Sequence, residues 1–384
     1  MTPLQQACSD IIHKNLAYSG EQIYFLYDTE SPLAIRLSDA YRAVLPTGSV
    51  AREFKNPPQP LYRGGLLNPD NPHIVAQNRL ITAHNITENI RVGLDHHEVM
   101  ETTGAEVLDL QVESIKSELL GLPKGSIAIL VQSTNFRLST FRIRLELFNI
   151  GVHVIEFNHL AYIKENEFET FEKSLAYHRE EYIHALEKFS THINNGLTPL
   201  CRSSKGHILS FGEVERARGN TGDYRDSEHK GGTFPIGEIF TEAINLESVS
   251  GQALIEAYPG DTFEVVHDTP FLIRIEKGRV LPSPDFPPGF QQVYGLIMEA
   301  EGEVMVREFG LGLNTAINRE NPLSDINFYE RKIGVHLSLG KKHGIYGKKL
   351  PKTMIQRYHI DVFLDLGEVY MGDECIFKDG GWKW

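Results

Sequence analysis

Cysteine is scarce in this chain of 384 residues: Cys8, Cys201 and Cys375 are the only three, and no two stand at CxxC spacing. An odd, scattered set gives no basis for a disulfide framework or a thiolate metal cluster, and suits reduced thiols. Long apolar runs are missing too, and without about 18 consecutive apolar residues no membrane span is expected. The opening MTPLQQACSDIIHKN lacks the basic stretch and apolar stretch of a secretory signal, so the expected location is the cytoplasm. Positive charge is in deficit, with 38 Lys and Arg against 51 Asp and Glu and a formal net charge of −13. That balance repels nucleic acid and anionic membranes, and neither is expected as a partner. Several catalytic signatures are absent: GxGxxG, the phosphate-binding GxxxxGKS/T, the GxSxG of hydrolases, the HExxH of zincins and the paired cysteines of zinc deaminases.

What is present is an ordinary globular composition, 41% hydrophobic and 23% charged. The length exceeds what one hydrophobic core usually serves, so two domains are expected. In the first half, IYFLY (23–27) reads as a buried strand, followed by a helix with Ser31 as N-cap and Pro32 at its first position. SIAILV (126–131), STFRIRLELFNIG and VHVIEF (152–157) read as strand, helix and strand. Such crossovers imply a parallel sheet flanked by helices, with YDTES (27–31) and QSTN (132–135) at the carboxyl ends of strands, where ligands often bind. Phe168, Phe171, Leu175, Tyr182, Leu186 and Phe189 keep a helical period, predicting one long amphipathic helix over about 166–193.

Past Asn194-Asn195-Gly196 the pattern changes to short β-rich runs separated by Gly, Pro and Asn. The expected architecture is an α/β domain with a parallel sheet over 1–200, followed by a β-rich, antiparallel, barrel-like domain over 201–384.

Few features of the chain point to chemistry, and those that do gather in the second half. In YHIDVFL, His359 and Asp361 are two apart and share one face of a strand, while Ile360 and Val362 face a core. Along EVMVREF, Glu308 continues the row of Val304 and Val306, and the GLGLN after it reads as a glycine-rich turn. Glu238 follows Pro235-Ile236-Gly237 at a strand start, His336 lies inside the apolar IGVHLSLG, and His343 follows in a loop. Carboxylates and imidazoles of this kind bind one or two divalent ions able to activate water. The contiguous acids and histidines of DHHE (95–98) fan around a helix and read as surface; His178 and His184 do not share a helical face.

Several of these strings resemble the signature of the thermophilic-type metallo-aminopeptidases, the family of aminopeptidases T and S. FPIGEIFTEA, VSGQALIEA, FLIRIEKGRVL, REFGLGLN, FYERKIGVHLSLG and YHIDVF follow that family's order and rough spacing over about residues 206–365. The resemblance implies Glu238, Glu308, His336, His359 and Asp361 as metal ligands, with a pair of zinc, cobalt or manganese ions bridged by a glutamate. It further implies a homodimer that cleaves an N-terminal peptide or amide bond, with Glu238 or Glu308 as general base. Where the family carries a tyrosine seven residues after the histidine, this chain has His343, with Tyr346 three further on. A histidine there can donate a hydrogen bond or bind metal, and it titrates nearer neutrality.

The same fold is similar to the dihydroxypyridine ring-cleaving dioxygenases, which hold one ferrous ion by two histidines and a carboxylate. His336 or His343 with His359 and Asp361 would serve that alternative. A third possibility is a binding protein that retains the fold without catalysis.

Overall fold

The computed structural model describes residues 1–54, 115–133, 143–225, 230–260, 264–340, 346 and 359–384. The segment DHHE and His343 both lie outside the described residues. Strands in chain order are β1 (Ile23–Tyr27), β2 (Val50–Glu53), β3 (Ile127–Val131), β4 (His153–Phe157), β5 (Pro199–Ser203), β6 (Ile208–Ser210), β7 (Arg218–Asn220), β8 (Gly231–Thr233) and β9 (Glu238–Glu242). There follow β10 (Ser250–Pro259), β11 (Val265–Glu276), β12 (Arg279–Val280), β13 (Val306–Gly312), β14 (Gly334–Gly340), β15 (His359–Leu364), β16 (Leu366–Met371), β17 (Glu374–Lys378) and β18 (Gly381–Trp382).

The first sheet is parallel, in the order β2-β1-β3-β4-β8. Its central strands IYFLY and IAILV are buried along their whole length, as strands covered on both faces must be. One face carries Tyr24, Leu26, Ala128, Leu130 and Val154 against Leu119 and Leu147. The other carries Phe25, Ile127, Ile129 and Ile155 into the main core of the molecule. Helix α1 spans Pro3–Asp10, and helix α2 spans Pro32–Val44 and starts as expected, with the Ser31 hydroxyl accepting from the amide of Ala34. Helix α3 (Ile143–Asn149) leads to Gly151, whose φ of 79° ends it in the left-handed region.

The second sheet is antiparallel and has 13 strands, in the order β18-β17-β16-β5-β6-β10-β15-β14-β13-β9-β7, with β11 and β12 branching from β10. It curls into a half-barrel, so the expected pairing of a parallel α/β layer with a barrel-like antiparallel layer is what the chain forms. The chain enters the second sheet at Pro199 and returns once to the first through β8. Polar ties join the two layers: His159 Nδ1 lies 2.9 Å from Asp325 Oδ2, and the Glu167 carboxylate accepts from the amide and hydroxyl of Ser324.

Two expectations need correction. The long helix over 166–193 is two helices, α4 (Phe168–Ser174) and α5 (Arg179–Asn194). The Ser174 hydroxyl donates to Phe171 O at 2.6 Å, and the Ser174 carbonyl accepts from Asn314 Nδ2 at 2.8 Å. A carbonyl engaged by a side chain from another element is withdrawn from the helical ladder, and the helix stops there. The second correction concerns Glu308. Its strand continues through Gly310 to Gly312 instead of turning, and a bulge between Val306 and Glu308 shifts the register. Val306 therefore pairs with Leu339 on the apolar face, while Glu308 pairs with Ser338 on the other.

Candidate metal centre

Four neighbouring strands, β9, β13, β14 and β15, carry the candidate residues on one face. Cross-strand partners share a face, so the registers fix the arrangement. Glu238 opposes Gly312, Glu308 opposes both Glu242 and Ser338, and His336 opposes Gly310 and Phe363. Ser338 opposes Asp361, and Gly340 opposes His359. The alternation that puts these polar groups together sends Phe309, Leu337, Leu339, Ile360 and Val362 to the other face, where all are buried.

His336 is the centre of this face. It is almost fully buried, and its Nε2 lies 3.3 Å from Glu238 Oε1 and 3.5 Å from Glu308 Oε1. Among the described residues no well-aligned hydrogen bond reaches that nitrogen, although both carboxylates stand close enough to attract a proton on it. The imidazole fits only because β13 has glycine opposite it: a Cβ on Gly310 would stand 2.0 Å from His336 Nε2. Gly312 serves a related purpose, since its Cβ would stand 1.8 Å from the carbonyl oxygen of Lys332.

Donor atoms of Glu238, Glu308 and His336 all lie within 4.8 Å of one another, and the same holds for Glu330, His336 and Asp361. A tetrahedron with nitrogen and oxygen ligands about 2.0–2.1 Å from its centre has edges of about 3.4 Å. The His336 separations of 3.3 and 3.5 Å are close to that edge. A buried imidazole nitrogen aimed between two buried carboxylates, with no well-aligned hydrogen bond among the described residues, fits a divalent cation in both geometry and charge.

Asp361 and His359 complete the row. The Ser338 hydroxyl donates to Asp361 Oδ1 and lies 3.2 Å from His359 Nε2, which is itself 3.5 Å from Asp361 Oδ1. Two residues that the sequence did not single out also enter. Arg331 Nη1 contacts Glu238 Oε2 at 3.1 Å and the Glu330 carboxylate, while its Nε donates to Pro235 O at 3.3 Å. Both belong to ERK (330–332), a charged triplet just before a strand. Tyr346 donates from its hydroxyl to Phe240 O at 3.1 Å.

The electrostatics of the cluster follow from burial and crowding. Burial alone would lower the His336 pKa, but the carboxylates of Glu238 and Glu308 and the charge of Asp361 outweigh it and hold the imidazole well above its ordinary value. Burial pushes the Glu330 carboxyl well up; Arg331 opposes the rise, and the charges of Glu238 and Asp361 reinforce it. Burial works against the Arg331 charge, but Glu238 and Glu330 hold the guanidinium protonated. For Tyr346, burial and the charge of Glu308 raise the phenol.

A separate cavity of about 740 Å³ is lined by Glu256, Leu313, Lys332, Leu364, Trp382 and Trp384 among others, and by none of the candidate ligands. Among the described residues no helix is long and apolar enough to cross a membrane.

No protein-family model matches the chain, and no curated protein sequence does. Solved structures do. Wild-type AmpT (aminopeptidase T) from Thermus thermophilus superposes with a TM-score of 0.60 at 14% identity, over 100% of this chain and 99% of that one. The 2,5-dihydroxypyridine dioxygenase from Pseudomonas putida KT2440 superposes with a TM-score of 0.55 at 12% identity, over 100% of this chain and 98% of that one. At such identities the likeness is one of fold: this chain shares, end to end, an architecture found in both an aminopeptidase and a dioxygenase.

Proposed function

We propose that the protein is a metal-dependent hydrolase that removes an N-terminal residue from a small peptide or cleaves a related amide. The observation that carries the reading is the buried triad Glu238, Glu308 and His336, with an imidazole nitrogen facing two carboxylates at the edge length of a metal polyhedron. Two carboxylates beside one imidazole make a hard donor set that suits zinc, cobalt or manganese. Glu238, Glu308 and His336 would hold the ion, with Asp361 and His359 on the next strand beside them. Such an ion, when bound, acts as a Lewis acid toward a carbonyl and makes a bound water acidic enough to ionise near neutrality.

The remaining groups do work the chain itself supplies. Ser338 fixes the Asp361 carboxylate by donating to it. Arg331 orients Glu238 by holding its outer oxygen. With Glu238 and Glu308 committed as ligands, Glu330 is the acid–base group. Burial raises its carboxyl well above the ordinary carboxylate value, and it adjoins the ligand cluster through Arg331. The acidic surroundings suit a substrate whose free amine is protonated. In keeping with the resemblance in the second half of the chain, the active form is a homodimer.

The test is turnover of a panel of dipeptides and aminoacyl amides by chelated protein reloaded with zinc, cobalt or manganese. The expected result is metal-dependent release of the N-terminal residue. Oxygen uptake on a dihydroxypyridine by the iron(II) form, with no amide cleavage under any metal, would replace this reading with the oxygenase one.

A further inference from the structure

We propose that this centre holds one divalent ion and that Arg331 takes the place of a second, acting as a positioning residue through Glu238. The inference rests on the metal-centre reading above and concerns its stoichiometry. Among the described residues the cluster contains two donor groups, Glu238–Glu308–His336 and Glu330–His336–Asp361, which share a single imidazole. Two groups joined at one residue look at first like a site for two ions. The guanidinium decides otherwise. Arg331 Nη1 contacts Glu238 Oε2 at 3.1 Å and also the carboxylate of Glu330, so one nitrogen touches one acid from each group.

Glu238 is therefore divided between two roles. Its Oε1 faces His336 at 3.3 Å, on the side of the first donor group, while its Oε2 is held by Arg331. A glutamate that would otherwise bridge two metals bridges one metal position and one guanidinium. Glu330 Oε1, one of the two oxygens this acid could offer the second group, is likewise held by Arg331. Arg331 cannot simply step aside, because it is buried and its Nε is anchored to the carbonyl of Pro235. A second dication beside Glu330 would meet the positive charge of a buried, anchored guanidinium. Guanidinium keeps its charge at every pH the protein tolerates, so the exclusion is permanent.

The arrangement also has a use. A fixed cation on Oε2 locks the rotamer of Glu238, so the ligand oxygen is aimed before the ion arrives.

The experiment is calorimetric titration of chelated protein with cobalt(II) or zinc, paired with elemental analysis after gel filtration. The measurements are made on the wild type and on Arg331→Lys and Arg331→Met. The inference expects one equivalent in the wild type and one in Arg331→Lys, which keeps the charge. It expects two in Arg331→Met, where the charge is gone and both carboxylates are released. Two equivalents in the wild type would overturn the inference and leave the metal-centre reading standing. One equivalent in folded Arg331→Met would remove the role assigned to the guanidinium. No binding in any form would overturn this inference together with the reading it rests on. If Arg331→Met does not fold, the wild-type and Arg331→Lys stoichiometries decide alone.

Discussion

Gly310 and His336 oppose each other across the β13–β14 ladder, and the imidazole occupies the space where a side chain at 310 would begin. A Cβ there would stand 2.0 Å from Nε2, far inside contact distance, and the ring rather than the paired backbone would have to move. Gly310→Ala is thus a ligand-displacing substitution placed on a residue that contributes no donor. It should keep the circular dichroism of the parent while weakening zinc or cobalt binding by at least about 10–100-fold, the scale set by disturbing a ligand's supporting contacts. Unchanged affinity in titration of the folded variant would show that the ring position is not needed for metal.

The pH dependence of the metal-free protein follows from the sign of the His336 shift. Its folded pKa lies above the ordinary value of about 6.5 despite burial, because Glu238, Glu308 and Asp361 favour the imidazolium. A raised folded value contributes stability that is complete below the unfolded pKa and is lost as pH rises through the folded one. Chelated protein should therefore melt at progressively lower temperature as pH rises above about 6.5, and His336→Gln should flatten that slope. Saturating metal should flatten it as well, since binding the ion displaces the same proton. A slope identical in parent and His336→Gln would assign it to other groups.

Glu330 separates binding from chemistry. Glu330→Gln removes the proposed acid–base group while leaving Glu238, Glu308 and His336 in place. Metal affinity should stay within a few-fold of the parent, while turnover falls by about 10²–10⁴, the usual contribution of a positioned general base. The alkaline or acid limb of the rate profile that belongs to Glu330 should disappear from the residual activity. Full activity in this variant would return the base to Glu238 or Glu308.

Much of the architecture was legible because it rests on short-range periodicity. Uninterrupted apolar runs such as IAILV announce a strand covered on both faces, and alternation in GVHLSLG and HIDVFL announces strands with one polar row. The grouping of Glu238, Glu308 and His336 follows from such rows once the strands are neighbours. What the sequence hid has local causes. A bulge adds one residue without any compositional mark, so Val306 and Glu308 looked like one row and lie on opposite faces. The apolar period ran unbroken from Phe168 to Phe189, and nothing in it revealed that Asn314, 140 positions from Ser174, would take the carbonyl that ends α4. Glu330 and Arg331 carried no pattern that marked them in the sequence, and only the fold brings Arg331 against Glu238 and Glu330.

The central claim is that Glu238, Glu308 and His336 together bind a divalent ion, and anomalous diffraction from crystals soaked in zinc or cobalt tests it most directly. The account predicts a strong anomalous peak bounded by Glu238 Oε1, Glu308 Oε1 and His336 Nε2, with each ligand distance about 2.0–2.2 Å. The peak should be absent from His336→Ala crystals grown and soaked alike. An empty cluster in the parent, with metal bound elsewhere or nowhere, would contradict the account.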